Sequence, residues 1–173
     1  GRGRAVFSAN FTDMICDFVN ISSLGNARAF GALSNSRAST YGCASETRGV
    51  WGGGALPAYT DVIDYITIAS EGDGIDFGNL TESIGFMGGA SSSTRGLRMG
   101  GTTPSKVNTI DYVEIATLGD ALDFGDLTEA PSACGGLSSP TRGFRIGGST
   151  PTFTSTIDVF TIASKGNAIK FGD

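Results

Sequence analysis

Asp17, Asp64, Asp111 and Asp158 recur at a 47-residue step, and Arg48, Arg95 and Arg142 keep the same step. Carboxylates beside guanidiniums have two chemical uses: acid–base work by paired carboxylates, or charge-assisted Arg–Asp pairs that lock a fold. An active site normally breaks symmetry, whereas these residues return in every copy. The expectation is therefore structural pairing of Arg4, Arg48, Arg95 and Arg142 with Asp17, Asp64, Asp111 and Asp158. The chain contains no histidine, which removes Ser-His-Asp and Cys-His nucleophilic sites and every histidine-ligated metal. No catalytic residue is expected, and the chain reads as a non-enzyme.

Asp73, Asp76, Asp120, Asp123 and Asp126 gather around one segment in two copies. Oxygen-rich loops can hold calcium, but no EF-hand spacing is present and the last copy offers Asn167 and Lys170. Turn-forming Asp and Asn account for them more simply, so no cofactor or metal is expected, with calcium as the lesser alternative. Two columns vary from copy to copy. One reads Phe7, Trp51, Arg98, Arg145; the other, Tyr59, Lys106, Phe153, follows Pro57, Pro104 and Pro151 by two residues. Aromatic and cationic groups on proline-stiffened loops suit a glycan or a protein surface. The candidate ligand-contacting residues are thus Trp51, Tyr59, Arg98, Lys106, Arg145 and Phe153. Their plain alternatives are channel lining or packing for the first column and loop decoration for the second.

These columns are features of a repeat. Phe30-Gly31, Phe77-Gly78, Phe124-Gly125 and Phe171-Gly172 hold the same step, and only Arg4 to Arg48 differs, at 44, because the loop before Asp17 is three residues shorter. Such a period marks one supersecondary unit that buries its faces against copies of itself. The chain reads as one repeat domain, residues 1–173, with copies at 4–47, 48–94, 95–141 and 142–173. Each copy divides into four short runs bounded by Gly, Asn, Asp or Ser. They are segment A (48–54), segment B (62–69), segment C (around 75–80) and segment D (84–90), with their equivalents. This is the grammar of strands and turns, and no run carries a sustained helical period.

In segment B, Ile63, Tyr65 and Thr67 alternate with Ile66 and Ile68, so both faces are mostly apolar and a sheet covered on both sides is expected. The fold class that follows is all-β: a β-propeller-like array of four-stranded antiparallel blades. Segment D occurs three times and the chain reaches Phe171-Gly172-Asp173, so the last repeat is expected to be incomplete. Its closing strand would come from Arg4-Ala5-Val6-Phe7, from further repeats, or from a second chain.

Composition sets limits. The chain has 27 glycines among 173 residues, and the glycines fall at fixed repeat positions, as punctuation of turns would. The net charge of −5, with no basic cluster, gives no support to nucleic-acid binding. No apolar run approaches the ~18 residues of a membrane span. The N-terminal residues lack the apolar stretch of a signal peptide, and the absence of an initiator Met is expected of a processed chain or an excerpt. Cys16, Cys43 and Cys134 match Ile63, Ala90 and Met87 in other copies, which points to buried hydrophobes; one disulfide is the alternative. Asn10, Asn20 and Asn79 begin N-x-S/T sequons, relevant only in a eukaryotic secretory pathway.

The diglycines Gly53-Gly54, Gly100-Gly101 and Gly147-Gly148 close segment A in three copies; the first has Ala9-Asn10. The pattern resembles the kelch repeat, whose diglycine closes an early strand of a roughly fifty-residue blade, and implies kelch-type blades. The late Trp of kelch blades is absent. Asn108-Thr109-Ile110-Asp111-Tyr112-Val113, Asp123-Phe124-Gly125-Asp126-Leu127-Thr128 and Ser93-Thr94-Arg95-Gly96 are similar to a tandem repeat of large structural proteins of tailed phages from aquatic environments. That resemblance implies a non-enzymatic tail or surface fibre or adhesin, on a virion or extracellular. Its partners would be other copies of itself, other virion or fibre proteins, or cell-surface glycan. The alternative is an extracellular glycan-binding lectin of cellular origin, and an enzyme on the same scaffold ranks third.

Overall fold

A computed structural model describes residues 3–8, 14–55 and 57–173. Among these the chain is all-β, with no helix; fifteen strands form four antiparallel sheets, and two short hairpins stand beside them. The first sheet has three strands, β1 (Arg4–Ser8), β2 (Ile15–Asn20) and β3 (Arg28–Ala32). The second contains β4 (Tyr41–Ala44), β5 (Arg48–Gly52), β6 (Val62–Thr67) and β7 (Ile75–Asn79), in that order. In the third, β8 (Gly88–Ser91) and β9 (Arg95–Met99) precede the hairpin β10 (Thr102–Thr103) and β11 (Ser105–Lys106), then β12 (Thr109–Glu114) and β13 (Leu122–Asp126). The fourth repeats this with β14 (Gly135–Ser138), β15 (Arg142–Ile146), the hairpin β16 (Ser149–Thr150) and β17 (Thr152–Phe153), β18 (Ile157–Thr161) and β19 (Ile169–Gly172).

The sheets are out of phase with the sequence copies. Segment D pairs with the following segment A: Gly88 to Ser91 run antiparallel to Met99 to Gly96. The reason is local. Ser92 Oγ accepts the amides of Thr94 and Arg95, and the Ser92 amide donates to Arg95 O, closing a tight hairpin. The sheet with three strands is therefore the first, and the last holds four, contrary to an incomplete final unit.

The recurring Phe-Gly dipeptide has a geometric cause. Pairing of β6 with β7 jumps between Ile63/Gly78 and Asp64/Asp76, leaving Phe77 as the extra residue of a β-bulge; the same shift occurs at Phe30 and Phe124. The bulged ring enters the layer between sheets. Phe30 and Phe18, Phe77 and Tyr65, and Phe124 and Tyr112 meet edge to face. Three apolar clusters result, one per junction: Phe30 with Ile66 and Ile68, Phe77 with Val113 and Ile115, and Phe124 with Phe160 and Ile162. Ile63, in β6, is fully buried and Ile66 nearly so, as a strand covered on both faces requires.

Backbone bonds lock each junction in one direction. The Gly72 amide donates to Phe30 O at 2.9 Å and Gly74 to Ala32 O at 2.7 Å. Gly119 and Ala121 do the same to Phe77 and Asn79, and Gly166 and Ala168 to Phe124 and Asp126. Each diglycine enters the left-handed region, Gly100 at φ +59° and Gly101 at +117°, where a side chain would be strained. A Cβ at Gly101 would also stand 2.9 Å from Gly85 O, so the diglycine combines a sharp exit with a close backbone approach.

Candidate functional site

Beside the bulge, Asp64, Asp111 and Asp158 each sit in a buried polar junction. Arg145 faces Asp158 across β15 and β18, and both are fully buried. Arg145 Nη2 and Nε donate to Asp158 Oδ2 at 2.6 and 3.1 Å, and Nη1 donates to the carbonyls of Gly147 and Thr156, each at 3.0 Å. The preceding loop completes the knot: Thr128 Oγ1 donates to Asp158 Oδ1 at 2.5 Å, and Glu129 lies 3.4 Å from Arg145 Nη2. Arg98 and Asp111 form the same pair, with Thr81 and Glu82 from the loop before it. In the second sheet Trp51 occupies the Arg column, and Arg37 takes its place, 2.8 Å from Asp64, with Ser34 as the loop hydroxyl.

The expected pairing of Arg4, Arg48, Arg95 and Arg142 with Asp17, Asp64, Asp111 and Asp158 does not occur. Arg95 stands three residues before Arg98, on the opposite face of the pleat, and its cross-strand partner is Glu114, at 2.7 Å. Three of these arginines instead span junctions. Arg48 Nη1 donates to Ile115 O at 2.8 Å, Arg95 Nη1 to Ile162 O at 2.9 Å, and Arg4 Nη1 to Ile68 O at 3.3 Å. Each lies over a ring of its own sheet, Tyr65, Tyr112 and Phe18 respectively, at 4.6–4.7 Å. Asp17 faces Phe7 across β1 and β2 and makes no ion pair among the described residues.

Of the six candidate contacts, Arg98 and Arg145 are withdrawn by this burial, since both guanidiniums are committed to ion pairs. Trp51 is half-buried; its ring passes over Gly49 and lines a groove of about 350 Å³ between Arg4–Val6 of edge strand β1 and residues of β4 and β5. Tyr59, Lys106 and Phe153 occupy equivalent connections between segments A and B, at one end of the sheets. Lys106 Nζ donates to Ser149 Oγ at 2.8 Å, bridging to the next sheet's hairpin. Phe153, on β17, is 91% exposed, while Tyr59 is partly covered. The residues missed in the sequence were Arg37, Thr81, Glu82, Thr128 and Glu129. One signal was legible: Arg37 stands where other copies have Ile84 and Pro131, in the copy whose column Arg is Trp51.

Among the described residues no group of three or more Asp, Glu or Cys side chains forms a metal-ligand set. Asp73 and Asp120 bind across junctions, accepting the amides of Ala32 and Asn79 at 3.0 and 2.9 Å; Asn167 does the same for Asp126 at 3.0 Å. A neutral amide fills that role, so the negative charge is not what the position needs. Asn79 carries its own amide into this contact, 3.4 Å from Asp120, while Asn10 lies outside the described residues.

The three cysteines are free thiols. Burial, with the charges of Asp17 and Asp64 adding to it, pushes Cys16 from 9.0 up to about 11, and burial pushes Cys43 up to about 12. Folded protein at pH 8 is accordingly expected to react with a thiol reagent at least about tenfold more slowly than unfolded chain; equal rates would refute the burial. The sign for stability is also set. The folded thiols stay protonated while unfolded ones ionise, so this contribution holds below pH 9 and is lost as pH rises towards 11–12.

Comparison with protein-family models and with curated proteins finds no match for the chain.

Proposed function

We propose that the chain is a non-enzymatic structural and adhesive component of a virion, a tail or surface fibre built as a propeller-like array of kelch-type blades. Receptor or assembly contacts run through the loops at one end. The observation that supports this reading is a division of labour. Recurring side chains such as Arg48 and Phe77 lock sheet to sheet, whereas Tyr59, Lys106 and Phe153, which differ from copy to copy, sit on connections at a common end, Lys106 also bonding the next hairpin. A blade-like arrangement is supported by close approach of β4, β8 and β14: a Cβ at Gly89 would stand 2.7 Å from Gly42 O, and Gly136 abuts Gly89 in the same way. The virion setting rests on the phage-like repeat wording. Partners are other copies, other fibre proteins or cell-surface glycan, outside the cell.

A lectin of cellular origin is the second reading, favoured by the bare Phe153 ring, since exposed aromatics stack on sugar faces. Binding to host-cell surfaces and to a glycan array separates the two. Phe153→Ala with Tyr59→Ala is expected to weaken surface binding at least about tenfold. Recovery of the chain in particle fractions supports the virion component. Glycan binding without particle association supports the lectin, and binding unchanged by both substitutions refutes the loop assignment.

A further inference from the structure

The two end sheets expose the halves of an interface that the chain itself builds three times. At each internal junction the earlier sheet offers its bulged Phe, the Gly after it, and the Arg that opens its segment A. The later sheet offers an Ile and a Gly-(Asp/Asn)-(Gly/Ala) turn. Exposure shows which halves are used. Phe30, Phe77 and Phe124 are 3%, 3% and 2% exposed, but Phe171 of the last sheet is 60%. Ile68, Ile115 and Ile162 are 8%, 1% and 1% exposed, but Ile21 of the first sheet is 68%. Arg142 is exposed, and nothing lies within 4 Å of a Cβ placed on Gly172, although its equivalents Gly31, Gly78 and Gly125 abut Gly72, Gly119 and Gly166.

We infer that a second copy of this chain docks its first sheet on the last sheet of the first copy, reproducing the internal junction. Arg142 would then donate to the carbonyl of Ile21, as Arg95 does to Ile162. The amides of Gly25 and Ala27 would reach the carbonyls of Phe171 and Asp173, as Gly166 and Ala168 reach Phe124 and Asp126. Phe171 and Ile21 would be covered together. The choice of a second copy follows from complementarity: each face already has its partner's shape and hydrogen-bonding order inside the same molecule. A head-to-tail contact of this kind generates either a closed ring or an open ladder. The inference deepens the reading of the chain as an assembly component by naming one partner, but it stands on the junction geometry and is tested without particles or glycans.

Analytical ultracentrifugation of the 173-residue chain across a wide concentration range reads the outcome. Species heavier than the 17.7 kDa monomer are expected to grow with concentration. Gly172→Val should raise the dissociation constant at least about tenfold, because a side chain there would meet the partner's Gly25 turn as closely as one at Gly125 would meet Gly166. Arg142→Ala should raise it about tenfold by leaving the Ile21 carbonyl unmet. Both variants should melt as the wild type does when dilute, since a Cβ at Gly172 would meet nothing within the chain and Arg142 is exposed. A ring of fixed size and a ladder of increasing mass both support the contact. A monomer at every concentration, or association indifferent to both substitutions, overturns it, whatever the binding and particle experiments return.

Discussion

Arg145→Ala is expected to lower the unfolding free energy by about 3–5 kcal/mol, because it strands Asp158 as a buried charge. Asp158 is fully buried, and its remaining polar contacts come from Thr128, whose hydroxyl and amide cannot replace a guanidinium. Glu129 would lose its cation as well. For a chain of this size the melting temperature should fall by roughly 6–20 °C. The pair's strength lies in its completeness, with Arg145 also donating to Gly147 and Thr156 carbonyls. Removing both charges together, as in Arg145→Met with Asp158→Leu, should cost far less than Arg145→Ala alone. Thermal and denaturant melts check this. Arg95→Ala serves as contrast: its guanidinium is only part-buried, and it should cost about 1–2 kcal/mol through lost carbonyl and ring contacts. Equal losses at Arg95 and Arg145 would contradict the division between junction-spanning and Asp-pairing arginines.

Gly125→Val is expected to disrupt the junction between the third and fourth sheets, at a cost of about 3–5 kcal/mol. Two effects add. Gly125 has φ +152°, a conformation L side chains rarely adopt, and a Cβ there would lie 2.6 Å from both the carbonyl carbon and the oxygen of Gly166. Neither neighbour can move without breaking the Gly166 amide bond to Phe124 O. The fourth sheet packs through Phe160 and Ile162 against Phe124, so its loosening should expose that cluster. Native-state hydrogen exchange should show protection lost first in 135–172, with the first two sheets retained, as expected of a linear array whose units contact only neighbours. Uniform loss across all sheets would argue against that linear coupling. Gly172→Val, chemically the same change, should leave the fold of the isolated chain intact.

Much of the strand pattern was legible in the residues. The β-branched and aromatic run at 62–69 has its strand at Val62–Thr67, and its two apolar faces are both covered, Ile63 on one and Ile66 on the other. The diglycines mark sharp turns with positive φ, and Tyr59, Lys106 and Phe153 lie on connections. Partnership was not legible. In a strict repeat every column keeps a constant offset from every other, so recurrence alone cannot say whether Asp111 meets Arg95 or Arg98, or whether segment D joins the segment A before it or after it. Only where a copy deviates is the tie broken, as Trp51 with Arg37 shows.

The amino-acid order alone thus determined the unit, its strands and its turns, because alternation, β-propensity and glycine placement act over a few residues. Tertiary structure decided what meets what. Cross-strand register and the bulge at each Asp set the ion pairs, and the stacking direction set which flank of each sheet is covered and which flanks of the end sheets stay open. Those choices depend on hydrogen bonds between residues 13 to 68 positions apart, which no local preference encodes.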